Sequence, residues 1–257
     1  MSSDRTDPAK SAVHGGRLVA DRLRAHGVEV VFTLSGGHIV ELLDGCAGAG
    51  LRILDVRHEG AATLGALGYA LATGRTGVAA VTAGPGFTNA LTGFVDAAAG
   101  NAPLVLIGGR TVLKRRGWGA VQDIDQRAMV APIAKWTAAV QDVGSVERLT
   151  DEALHRARSG QPGAVYLEVP HDVFMGRSTP STGIWGFPST ASHPAASPAE
   201  LERACEALRR AERPVIVAGS GAFWSGAGEQ LASLCEKISR RLELVERKLA
   251  VSAPISP

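Results

Sequence analysis

Aromatic residues are scarce in this chain: they make up 5% of its 257 residues. A core with few rings relies on small and branched aliphatics. Hydrophobic residues reach 45% and glycines number 31, which fits close helix–strand packing in an α/β protein and disfavours an aromatic-rich β-sandwich. Cysteine is also rare. Cys46, Cys205 and Cys235 lie far apart without metal-ligand spacing, which excludes a disulfide framework or zinc ribbon and suits thiols in a reducing compartment. Net charge is only +2, too small to argue for a nucleic-acid or membrane-surface partner. The basic runs Lys114-Arg115-Arg116 and Arg209-Arg210 read as solvated faces. The opening MSSDRTDPAKSAVHGG has no apolar core for a secretory signal, and no apolar run is long enough to span a bilayer. The expectation is a cytosolic (cytoplasmic) protein with neither nucleic acid nor membrane as partner.

What is present is an alternation of strands and helices, the pattern of a parallel sheet covered on both faces. The periodicity predicts a helix over 12–26 stopped by Gly27, a strand over 28–34, a short helix to about 47, and a strand over 51–56. A helix over 59–72, a strand at 78–82, a helix at 87–99 and a strand at 104–107 follow. Residues 108–122 are glycine-rich and aperiodic, long enough to be a functional loop. A helix at 145–159 and a strand at 164–169 complete the unit. Between 175 and 198 the composition shifts to Ser, Thr, Pro and Gly, which marks a linker. Ser197 then stands as an N-cap with Pro198 in the first turn and Glu200 at the capping-box position. A strand over 214–218 and a further helix are expected to begin a second α/β domain that remains incomplete. The domains are thus 12–175, a linker 176–197, and 198–257.

Four stations along the first domain carry chemistry. Leu34-Ser35-Gly36-Gly37 is a turn after the first strand. Glu59, in Asp55-Val56-Arg57-His58-Glu59-Gly60, is a single acid where a buried strand gives way to an Ala/Gly-rich helix. Thr82 to Asn89, TAGPGFTN, joins a strand to a helix through two glycines around Pro85, a turn that lets the backbone approach a flat ring closely. Gln122 follows a glycine loop. Neither G-x-G-x-x-G nor GK[ST] follows a strand, which weighs against a nucleotide-binding dehydrogenase module.

In this order, the segments FTLSGGHI, RHE, GVAAVTAGPGFTN and RGWGAVQDIDQ resemble the pyrimidine-binding domain of thiamine-diphosphate enzymes. They are similar to the acetolactate synthase group and to its 2-hydroxyacyl-CoA lyase branch. The resemblance covers about 16–172 and, more weakly, 214–234. It implies thiamine diphosphate as cofactor, with Glu59 as the acid that hydrogen-bonds the aminopyrimidine ring nitrogen. Burial favours a protonated carboxyl there, whereas a helix N-terminus favours the carboxylate. Leu34, Ser35, Gly36, Thr82, Pro85 and Asn89 are implied as cofactor contacts. Gln122 is implied as an amide facing the reacting carbon, able to bond an anionic intermediate. Many relatives carry proline at the position of Ser35 and phenylalanine at that of Val121, so the pocket here is expected to differ in shape. His58 is read as an orienting residue outside catalysis.

In such enzymes the diphosphate and its magnesium ion sit on a separate domain with a Gly-Asp-Gly segment, since a hard cation needs oxygen ligands. This sequence contains no Gly-Asp-Gly, so no metal-ligating residue is assigned and magnesium is expected on a domain absent from this chain. Flavin (FAD) in the middle domain is compatible with the resemblance, but no motif supports it. The resemblance implies carbon–carbon bond making or breaking next to a carbonyl, on a 2-keto acid or a 2-hydroxyacyl-CoA. The chain is then half of a site, completed as a homodimer or by a chain that supplies the diphosphate domain, and is expected to be inactive when isolated. A non-catalytic remnant or dimerisation module of the same family is the alternative.

Overall fold

A computed structural model describes residues 12–183, 185 and 195–251, with side chains as far as 239. The opening segment read above as signal-free (1–11), part of the expected linker (184 and 186–194) and the end of the second domain (252–257) lie outside the described residues. The chain divides into two units, Met1–Ser192 and His193–Pro257.

The first unit begins with a two-residue strand β1 (Val13–His14) and helix α1 (Gly15–Ala25). It continues through β2 (Val30–Leu34), α2 (Val40–Gly48), β3 (Arg52–Asp55), α3 (Glu59–Thr73), β4 (Gly77–Val81), α4 (Pro85–Ala99) and β5 (Leu104–Arg110). Then come α5 (Gln126–Val130), β6 (Trp136–Ala139), α6 (Val146–Arg158), β7 (Ala164–Pro170), α7 (His171–Met175) and β8 (Arg177–Ser178). Six strands form one sheet in the order β3-β2-β4-β5-β7-β6, every pairing parallel, and β1 pairs antiparallel with β8. This is the doubly wound α/β fold expected from the alternation. The edge strand β6 and the short helix α5 were not expected; four half-buried residues, Trp-Thr-Ala-Ala, carry no alternation to read.

Strand period two sends neighbouring side chains to opposite faces. On one face Val78, Ala80, Val105, Ile107, Val165 and Leu167 pack with Leu18 and Leu23 of α1, Leu42 of α2 and Leu154 of α6. The opposite positions, Ala79, Leu104, Leu106 and Tyr166, are equally buried with Ala66 of α3 and Phe87 and Phe94 of α4. Small residues set the spacing on that second face. A Cβ on Gly77 would lie 2.1 Å from the Ala66 carbonyl oxygen, and one on Gly93 would lie 2.5 Å from Thr63 Oγ1. Helix α3 therefore rests on β4 main chain to main chain, and α4 rests on α3. Among the described residues, the buried charged side chains are hydrogen-bonded, and several are ion-paired. Asp151, fully buried on α6, accepts two hydrogen bonds from Arg22 at 2.8 and 2.6 Å, lies 2.9 Å from His26 Nε2 and accepts one from the Trp185 N–H at 3.1 Å.

The second unit contains α8 (Pro198–Arg210), α9 (Ser220–Trp224) and α10 (Gly228–Val251). Ser197 caps α8 by accepting from the Glu200 N–H at 3.2 Å, with Pro198 in the first turn. The strand expected over 214–218 does not form: the segment is irregular, with Val215 86% and Val217 90% exposed. A strand needs a neighbouring ladder for its backbone groups and a surface for its side chains, and no strand is described in this unit.

Candidate functional site

The site residues sit at the carboxyl ends of adjoining parallel strands, where open α/β sheets bind ligands. Glu59 opens α3. His58 is the N-cap, its ring Nδ1 accepting from the Gly60 N–H at 3.0 Å. The imidazole thus orients the helix start that carries the acid. Glu59 is 8% exposed. Its Oε2 accepts from Asn89 Nδ2 at 3.0 Å, which spends an otherwise exposed amide on one oxygen of the carboxylate. The other oxygen faces the TAGPGFTN turn, where a Cβ on Gly86 would lie 3.3 Å from Glu59 Oε1 and 2.6 Å from Thr82 Cγ2. Thr82 is buried, and a Cβ on Gly36 would lie 2.5 Å from its Cβ. Two turns that are distant in sequence close on each other there without side-chain spacers.

Gly84 adopts φ +60° ahead of Pro85, which stands exposed in the first turn of α4. A left-handed φ favours glycine, and space demands it as well, because a Cβ at 84 would lie 2.7 Å from Gln122 Cβ. Gln122 is half-buried and itself holds φ +65°, a costly conformation for a non-glycine residue that persists where surroundings impose it. The structure therefore brings Glu59, Thr82, Asn89 and Gly36 together, and places Gln122 against the same turn. Leu34, half-buried at the end of β2, and the exposed Ser35 lie on the adjoining turn. Among the described residues no side-chain hydrogen bond joins either to Glu59.

Several functional neighbours were not singled out from the sequence. His38 stands three residues beyond Ser35, with Nδ1 3.1 Å from Thr82 Oγ1. Burial, reinforced by the nearby His171, lowers its pKa and favours the neutral ring. Gln126 is fully buried: its Oε1 accepts from the Gly84 N–H at 3.0 Å, and its Nε2 donates to the Gly109 carbonyl and to the Tyr166 hydroxyl at 3.1 and 2.6 Å. It lies inside the RGWGAVQDIDQ stretch, four residues past Gln122, and that adjacency was the only signal for it. Burial opposes the charge on Arg110, yet hydrogen bonds and attraction from Glu168 and Asp123 outweigh it and raise its pKa. Among the described residues no group of three or more His, Cys, Asp and Glu could hold a metal ion.

The buried acid held by an amide thus lies among glycine turns at one end of the sheet, and the sequence comparisons say which family this domain resembles. Residues 13–129 match the family described as thiamine pyrophosphate enzyme, N-terminal TPP binding domain, and the domain they build belongs to that family. More particularly it is acetolactate-synthase-like. The chain is 39% identical over 237 residues to the acetolactate synthase large subunit IlvG of Mycobacterium tuberculosis, covering 92% of this chain and 43% of the relative. It is 40% identical over 245 residues to 2-hydroxyacyl-CoA lyase 2 of Mus musculus, covering 82% of this chain and 38% of that one. The human 2-hydroxyacyl-CoA lyase 2 is 37% identical over 246 residues, with coverages of 83% and 39%. The chain thus spans well under half the length of these curated relatives.

Proposed function

We propose that this chain supplies the pyrimidine-binding half of an enzyme that makes or breaks a carbon–carbon bond next to a carbonyl, acting on a 2-keto acid or a 2-hydroxyacyl-CoA. The observation that carries the reading is the environment of Glu59: buried at a helix start, one oxygen held by Asn89, the other facing the turn that carries Thr82 and Gly86. A protonatable oxygen beside a glycine turn, where main chain can approach a flat ring closely, fits an aminopyrimidine. Glu59 would hold and return a proton at the ring nitrogen, and the Gly36, Thr82 and Pro85 turns would fix the ring's plane. When bound, thiamine diphosphate supplies the carbon nucleophile for the reaction. The Gln122 amide would donate to a substrate oxygen as charge develops on it.

Magnesium and the diphosphate are assigned to a complementary domain, on a second copy of this protein or on another chain. Half-exposed Leu64 and Leu71 on α3 and Val95 on α4 support a partner over this layer. They suit equally a non-catalytic dimerisation module, the second reading. A cytosolic setting agrees with three unbridged cysteines, of which Cys46 has its thiol pushed up to about 12 by burial. No described helix is long and apolar enough to cross a membrane.

The test is turnover with thiamine diphosphate and magnesium, for the chain alone and with its diphosphate-binding complement. Alone, turnover should be negligible; robust turnover would show that no complement is needed. In the assembled enzyme, Glu59→Gln should lower kcat by about 10²–10⁴-fold, the range for loss of a positioned acid–base group, with the fold intact by circular dichroism. An unchanged rate removes Glu59 from this role, and an assembled enzyme with no turnover at all favours the dimerisation module.

A further inference from the structure

The Gln122 loop is held by charge from beneath. On β7, Tyr166 and Glu168 point to the same face, and both reach into the loop region. Tyr166 receives the Gln126 amide, and Glu168, fully buried, accepts from Arg110 Nη1 and from Arg116 Nη2, each at 2.9 Å. Arg110 continues the chain, donating through Nη2 to Asp123 Oδ1 at 3.3 Å. Asp123, beside Gln122, closes it by accepting from the Gly117 N–H at 2.7 Å. The loop is thereby tied at both ends, at Arg116-Gly117 and at Asp123, to one carboxylate on the sheet. Two guanidinium groups balance two carboxylates, so losing any single member leaves the cluster with a net charge. Removing one carboxylate leaves a buried cation unmatched, which is strongly unfavourable. The buried Nε of Arg110 and of Arg116 has no hydrogen-bond partner, so these side chains are committed to the cluster through their terminal nitrogens.

This arrangement has a purpose that packing alone does not require. Leu113, at the loop's start, packs against the core, but between Arg116 and Asp123 the large apolar side chains, Trp118 and Val121, are each 82% exposed, so apolar burial does not hold that stretch down. Meanwhile Gln122 keeps a left-handed φ against Gly84. We infer that Glu168, Arg110 and Asp123 form a positioning clamp that keeps the Gln122 amide at the site, so that Asp123 acts through Gln122. This rests on Gln122 being the amide that faces the reacting carbon.

Two measurements test it. Hydrogen exchange on the chain itself reads the clamp: in Asp123→Asn and Glu168→Gln, amides of residues 113–125, Gly117 above all, should exchange at least about tenfold faster while the strands keep their protection. Asp123→Asn, which alters only the loop end, keeps the test valid if Glu168→Gln disturbs the fold. Unchanged loop exchange overturns the clamp. Turnover of the enzyme assembled with its diphosphate-binding complement then reads positioning. Asp123→Asn should lower kcat about tenfold at unchanged KM, and should have no further effect in a Gln122→Ala background. Additive losses overturn action through Gln122. An assembled wild type without turnover sinks the functional reading, and with it Gln122's role, while the exchange result still decides the clamp.

Discussion

Helices α6 and α8 are built alike: each has thirteen residues, glutamate in the first turn and two arginines in the last. Yet α6 buries eight residues and α8 buries none. Both satisfy the local rules for a helix, with amphipathic spacing and charges that suit the macrodipole. What separates them is the surface each meets. Helix α6 lies on a sheet and locks a buried ion cluster through Asp151, whereas α8 belongs to a unit in which no strand is described. Local signals decide what an element is; only neighbours decide whether it is part of a core.

The contrast can be broken or sharpened by substitution, with stability read from urea unfolding. The largest effect is expected at Asp151→Asn, about 4 kcal/mol, since it leaves the Arg22 guanidinium buried without its counter-charge. Burial alone would raise the Asp151 pKa, but His26, Arg22 and the Trp185 N–H outweigh it and hold it below the ordinary carboxylate range. A lowered folded pKa stabilises above the unfolded value, about 3.9, and that contribution drains away as pH falls through the folded value. The wild type should therefore lose more stability between pH 5 and acid conditions than Asp151→Asn does; parallel acid limbs would contradict this. Leu154→Ala, on α6, should cost about 3 kcal/mol, the usual loss for a buried leucine. Ser197→Ala should weaken α8 by about 1 kcal/mol through its cap, seen as local loss of amide protection over 198–203. Leu201→Ala, at 54% exposure on α8, should change stability by less than about 0.5 kcal/mol. A cost there near that of Leu154→Ala would show that α8 is packed against a core after all.

Much of the first unit was legible because each strand–helix junction carries its own chemistry. His58-Glu59 at a helix start, the two glycines flanking Pro85, and the apolar run into Thr82 are read from adjacent residues. The expected grouping of Glu59, Thr82 and Asn89 needed only those junctions to lie at the same end of the sheet, after β3 and β4 with β2 between them, and parallel strands put every strand-to-helix junction at that end. Gln126, Arg110 and Glu168 were not legible in this way. Their partners stand as much as 58 residues away, and a glutamate in Tyr-Leu-Glu-Val looks like any residue of a buried strand until its register is known. The segment 214–218 failed for the opposite reason. Pro-Val-Ile-Val-Ala has the composition of a strand, but composition cannot supply the second strand that makes one.

Because Gly77 lets α3 lie directly on β4, no cushion of side-chain atoms absorbs a change in that seam. The helix works as a ruler whose zero is the sheet, and the acid is a mark near its end. A single methyl at position 77 would lift the ruler and displace the mark, although nothing at the mark itself had been touched. Substitutions that displace such a side chain can therefore arise far from it, in a layer that carries no charge.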